Sequence, residues 1–214
     1  MTDHTTRPSN PFAPGACALP LVAILRGLPP GDAAAVGKAL YAAGFRLIEV
    51  PLNRSGALAS MRALRDCLPA DALVGAGTVL TAPQARAVAD AGGQLAISPN
   101  FAPEVVATAI DAGLWSMAGV ATPSEAFAAL GAGAHALKAF PGEMLPPAVL
   151  KAWRTVLPEA PLYPVGGVTL QLLRDYRVAG VTGAGIGGAL YREGEDPTEL
   201  VLRAQAWREA WEQQ

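Results

Sequence analysis

The chain has 214 residues, of which 51% are apolar and 16% charged, and its 18 acidic and 16 basic side chains leave a net charge of −2. That apolar share excludes an intrinsically disordered chain, and a near-neutral balance without a basic stripe argues against nucleic-acid binding. No uninterrupted apolar run reaches the ~18–20 residues that a bilayer span needs, so the pattern predicts a large buried core and no membrane partner.

Residues 1–18 are polar and Pro-rich and lack the basic and apolar regions of a secretory signal. They are expected to form a flexible N-terminal arm ahead of one cytoplasmic domain over residues 19–214. Cys17 and Cys67 are too few for a disulfide framework. With His4 and His135 as the only histidines, a protein zinc site has poor support, and no metal or cofactor is expected.

An Ala-Gly pair closes an Ala-rich stretch five times, at Gly44, Gly92, Gly113, Gly133 and Gly180. The intervals are about 20 residues or a little over twice that, the size of one strand plus one short helix. Glycine takes the left-handed conformation that ends a helix. In chain order the predicted strands are Leu21–Leu25, Arg46–Val50, Ala72–Gly75, Gln94–Ser98, Leu114–Ala118, His135–Phe140, Leu162–Val165 and Val181–Ala184. Several are apolar on both faces, as parallel strands covered by helices are. Thr122-Pro123-Ser124-Glu125 reads as a capping box with Pro at the first helical position, and Thr81-Ala82-Pro83-Gln84 resembles it. Asp32 and Pro103 mark two further helix starts, and a last helix is expected at Pro197–Glu212. Eight strand–helix units in one domain predict an α/β fold, a (β/α)8 TIM barrel. The alternative open doubly wound sheet lacks a glycine fingerprint after its first strand.

In such barrels the chemistry sits at the C-terminal strand ends. Only three lysines occur, and Lys138 alone falls inside an apolar strand, on the face shared with Ala136 and Phe140. Burial there favours a neutral amine able to attack a carbonyl; a snorkelling or ion-paired lysine is the structural alternative. Glu49, inside Leu47-Ile48-Glu49-Val50, is either a proton shuttle or the ion-pair partner of Lys138. Arg26, ending the first strand, offers a fork for a carboxylate or phosphate, or is a surface turn residue. Two glycine-rich turns, Val165-Gly166-Gly167-Val168 and Gly183-Ala184-Gly185-Ile186-Gly187-Gly188, are candidate phosphate cradles. Gly75-Ala76-Gly77-Thr78 and Ser98-Pro99-Asn100 end two more strands. His135 begins its strand at the opposite end and is expected to be structural.

These motifs, together with Arg26-Gly27, Glu49-Val50-Pro51-Leu52-Asn53, Leu137-Lys138-Ala139-Phe140-Pro141 and Gly185-Ile186-Gly187, occur in order at strand ends. Over about residues 19–212 the chain resembles the class I KDPG/KHG aldolases, which act on 2-keto-3-deoxy-6-phosphosugar acids. The resemblance implies a metal-free homotrimeric barrel in which Lys138 forms a Schiff base with the substrate ketone and Glu49 moves protons. It also implies that Arg26, Thr78, Pro99, Phe140 and Val165 line the substrate, with pyruvate as a product, and that Gly166, Gly167, Gly187 and Gly188 hold phosphate. Pro51-Leu52-Asn53 and Val165 resemble the branch acting on the galactonate epimer. The gluconate branch more often carries Thr-Leu-Arg and Thr at these places. Two residues depart from the family pattern: Val120, where relatives often have Cys, and Gly188, where they often have Ser. The alternatives are the gluconate epimer or 4-hydroxy-2-oxoglutarate as substrate, an isomerase or epimerase, and a sugar-phosphate-binding barrel without turnover.

Overall fold

A computed structural model of the chain describes residues 9–213. Its eight parallel strands are β1 Leu21–Ile24, β2 Leu47–Pro51, β3 Leu73–Gly77, β4 Leu95–Ile97, β5 Trp115–Val120, β6 Ala136–Ala139, β7 Leu162–Pro164 and β8 Ala184–Ile186. They lie in the order β7-β6-β5-β4-β3-β2-β1-β8. The sheet closes through a Val165–Gly185 bridge and through Thr182, whose N–H donates to Leu162 O at 2.9 Å and whose hydroxyl accepts the Leu162 N–H at 3.0 Å. Each strand is followed by a helix: α1 Ala33–Ala42, α2 Ala57–Cys67, α3 Ala82–Asp90, α4 Pro103–Asp111, α5 Pro123–Gly131, α6 Pro147–Arg154, α7 Leu170–Val178 and α8 Pro197–Glu212. The chain is a single-domain (β/α)8 barrel.

The local signals act as the sequence predicts. Both capping boxes form, with Thr81 and Thr122 accepting from the third helical N–H and Gln84 and Glu125 reaching back to the cap. The five Ala-Gly glycines all take positive φ, between 78° and 100°, immediately after α1, α3, α4, α5 and α7. One strand is displaced. The last was expected at Val181–Ala184, but β8 runs through the glycines that looked like a turn. Gly183 and Gly185 are there for space: a Cβ at Gly183 would collide with the Pro20 carbonyl, and one at Gly185 would come 2.7 Å from Val165 Cγ2.

Strand alternation divides the apolar side chains into two cores. The larger lies between barrel and helices and includes Ala23, Ile48, Val74, Ala118 and Leu137. The smaller fills the lower barrel interior with Val22, Leu47, Leu95, Trp115, Met117, Ala136 and Tyr163. Phe12 completes it. Its ring is fully buried and meets Tyr163 edge-on at 5.9 Å, while the Tyr163 hydroxyl donates to Phe12 O at 3.0 Å. The described part of the expected arm over residues 1–18 therefore packs against the barrel. Residues 1–8 lie outside the described residues, but the segment from Asn10 onward folds under the barrel, because an aromatic ring buried there removes a large apolar area from water. His135 sits at the same end, as expected. Its Nδ1 accepts the Ser116 N–H at 3.1 Å and its ring stacks edge-on against Trp115.

Candidate active site

Alternation turns Glu49 of β2 and Lys138 of β6 into the barrel, above the apolar interior layer. Glu49 pairs in register with Ile24 and Gly75, and Lys138 with Gly119 and Tyr163. The two charged side chains are 1% and 6% exposed. Glycine makes room for Glu49, since a Cβ at Gly77 would land on its carboxylate; Gly119, in register with Lys138, instead clears the Pro99 carbonyl, which a Cβ there would meet. Glu49 Oε2 is buried and accepts no hydrogen bond from the protein, so that oxygen is left for another donor.

Burial disfavours both charges. It pushes the Glu49 carboxyl up, against the pull of Lys138 and Arg26, and pushes the Lys138 amine down, opposed by Glu49 and aided by Arg26. The result is an amine made nucleophilic nearer neutral pH and a carboxyl made more basic. That is a matched acid–base pair, coupled through its charges. The Lys138 ammonium also lies 5.0 Å from the centroid of the Phe140 ring.

A cavity of about 600 Å³ opens above this pair at the C-terminal strand ends. The structure brings all eleven sequence-expected site residues to its wall: Glu49 and Lys138 below, Arg26, Thr78, Pro99, Phe140 and Val165 around them, and the Gly166-Gly167 and Gly187-Gly188 turns at the rim. Thr78 has φ 56°, a left-handed backbone rare outside glycine and common at ligand sites. Gly166 and Gly167 have φ of 101° and 63°, which a side chain resists. Gly188 has open space beside it, so its lack of a side chain is not imposed by packing.

Glu143 also lines the cavity, and nothing in the sequence marks it out. The usable signal is its position: an acid three residues past the end of Phe140, in the loop after the strand that carries Lys138. A wider depression of about 880 Å³ lies at the other end of the barrel. Its Arg154 already donates to Gly180 O, Ala160 O and the Thr182 hydroxyl, so that guanidinium holds the strand ends together.

The chain matches the family model for KDPG and KHG aldolase over residues 16–197. It belongs to that aldolase family. It is 43% identical over 194 residues to the probable 2-dehydro-3-deoxy-6-phosphogalactonate aldolase of Rhizobium meliloti (strain 1021), covering 90% of this chain and 92% of that one. The 2-dehydro-3-deoxy-6-phosphogalactonate aldolase of Escherichia coli (strain K12) is also 43% identical, over 90% of this chain and 95% of its own. A solved structure described as native KDPGal superposes with a TM-score of 0.88 at 42% identity, over 91% of this chain and 95% of the other. Among the described residues of this aldolase-family chain, no helix is long and apolar enough to cross a membrane.

Proposed function

We propose that the chain is a class I aldolase that cleaves 2-dehydro-3-deoxy-6-phosphogalactonate to pyruvate and glyceraldehyde 3-phosphate. The observation that carries this reading is a buried lysine beside a buried carboxylate with an unpartnered oxygen, below a rim of glycine turns. Neutral Lys138 attacks the C2 ketone, and protonated Glu49 gives its proton to the departing hydroxyl, so that water is lost and a protonated imine and a Glu49 carboxylate remain. Glu49 takes the proton of the C4 hydroxyl. The C3–C4 electron pair then moves toward the imine, which releases the aldehyde and leaves the enamine of pyruvate. Glu49 returns its proton to C3, and water frees pyruvate from Lys138.

The Arg26 guanidinium faces the substrate carboxylate, and the backbone N–H groups of the two glycine turns face the phosphate. Thr78, Pro99 and Phe140 bound the pyruvyl portion. The galactonate epimer is favoured by Pro51, Asn53 and Val165, which line the cavity, and by the names of the two relatives that share 43% of their residues with this chain. A homotrimer is part of the same reading and rests on the family resemblance, and a cytoplasmic location belongs to that reading as well.

Borohydride reduction in the presence of pyruvate, followed by peptide mapping, tests the mechanism. One adduct on Lys138, lost in Lys138→Ala, is expected, and a folded protein that takes no adduct refutes it. Coupled pyruvate release from the two epimers tests the substrate, with the galactonate epimer expected to be cleaved faster.

A further inference from the structure

Glu143 lies where the reaction has no obvious use for a negative charge. The loop after β6 presses against the turn after β7. The Gly142 N–H donates to Val165 O at 2.7 Å, and a Cβ at Gly142 would collide with Gly166 O. This contact fixes the backbone of Glu143 beside the Gly166-Gly167 turn. The side chain then extends over both glycines. A Cβ at Gly166 would meet Glu143 Oε2 at 2.6 Å, and one at Gly167 would meet its Cγ at 2.8 Å. Glu143 is itself exposed, so its carboxylate can swing to water at the cost of a rotamer change.

We propose that Glu143 is a specificity-determining residue, a carboxylate that rests over the Gly166-Gly167 turn and must give way to a phosphate group. The proposal rests on the reading of this turn as the phosphate cradle. A phosphate monoester carries up to two negative charges, and each unit pair about 4 Å apart in water-like surroundings weakens binding about fivefold. The glycine turns alone would therefore hold phosphate more tightly than this site does. Whole substrate offsets the cost with its carboxylate at Arg26 and its bond to Lys138. Inorganic phosphate, which reaches neither, bears the cost in full. Glu143 thus selects against small phosphate anions and speeds departure of the phosphorylated aldehyde, a repulsive element of specificity.

The test is competitive inhibition of pyruvate release by inorganic phosphate in the unmodified chain, Glu143→Gln and Glu143→Ala. The ratio of kcat/KM for the phosphorylated substrate to that for the same sugar acid without phosphate is measured in parallel. Both variants are expected to lower the inhibition constant about fivefold or more and to raise the ratio similarly. The glutamine keeps the side-chain shape, and the alanine removes any hydrogen bond the amide adds. Inhibition of the unmodified chain that is unchanged or weaker in both variants overturns the role of Glu143 and leaves the phosphate cradle standing. No inhibition in any of the three proteins, with a ratio near one throughout, overturns the cradle and the proposal together.

Discussion

Glu49 shows what an ionisable side chain costs inside a barrel. It is protonated in folded and unfolded chains alike at pH below the ordinary glutamate value of 4.5, and there it costs nothing. Burial raises its folded value, so the unfolded chain loses the proton first, and stability falls as pH rises through that interval. Glu49→Gln removes this slope. Its melting temperature should match the unmodified chain well below pH 4.5 and exceed it increasingly as pH rises above that value. Each unit of raised pKa is worth about 1.4 kcal/mol, and each kcal/mol about 2–4 °C in a chain of this size. The same variant should lose about 10²–10⁴-fold in turnover. Thermal melts across pH decide the first point, and a pH-independent difference between the two proteins refutes it. Glu49 and Lys138 were legible in the sequence because an ionisable residue interrupts an apolar strand. Glu143 was not, because it stands in a loop, where charge is ordinary and only the fold shows what lies beneath it.

The strands carry glycine where the mouth needs volume. Gly77 has no positive φ, so backbone conformation does not require it; the Glu49 carboxylate does. Gly77→Ala should fold but displace that carboxylate, reducing pyruvate release by at least about 100-fold, on the order of losing the base itself. Activity within threefold of the unmodified chain would show that Glu49 works from elsewhere. Sequence patterns located the helix starts and stops because capping boxes and C-terminal glycines are local chemistry, as at Thr81, Thr122 and Gly44. They misplaced β8 because glycine written for close packing looks the same as glycine written for a turn. Pro20 and Val165, which make the space tight, lie far away in sequence.

At the scale of the molecule, the eightfold alternation of strand and helix was readable from its spacing, whereas the floor of the barrel was not. Phe12 stands in a Pro-rich polar stretch whose composition suggests solvent, and only closure of the barrel creates the apolar hole that its ring fills. Phe12→Ala should cost about 3–5 kcal/mol and lower the melting temperature by about 6–20 °C, with kcat/KM little changed, since the ring lies beneath the reacting groups. Calorimetry showing a shift under 2 °C would mean that the segment does not support the barrel. The ring gives the site a closed end. Everything enters and leaves through one doorway, with the glycine rim nearer to it than Lys138. Under the proposed chemistry this imposes a queue: the fragment held at the rim leaves first, and pyruvate, covalently attached at the bottom, cannot pass until the way is clear.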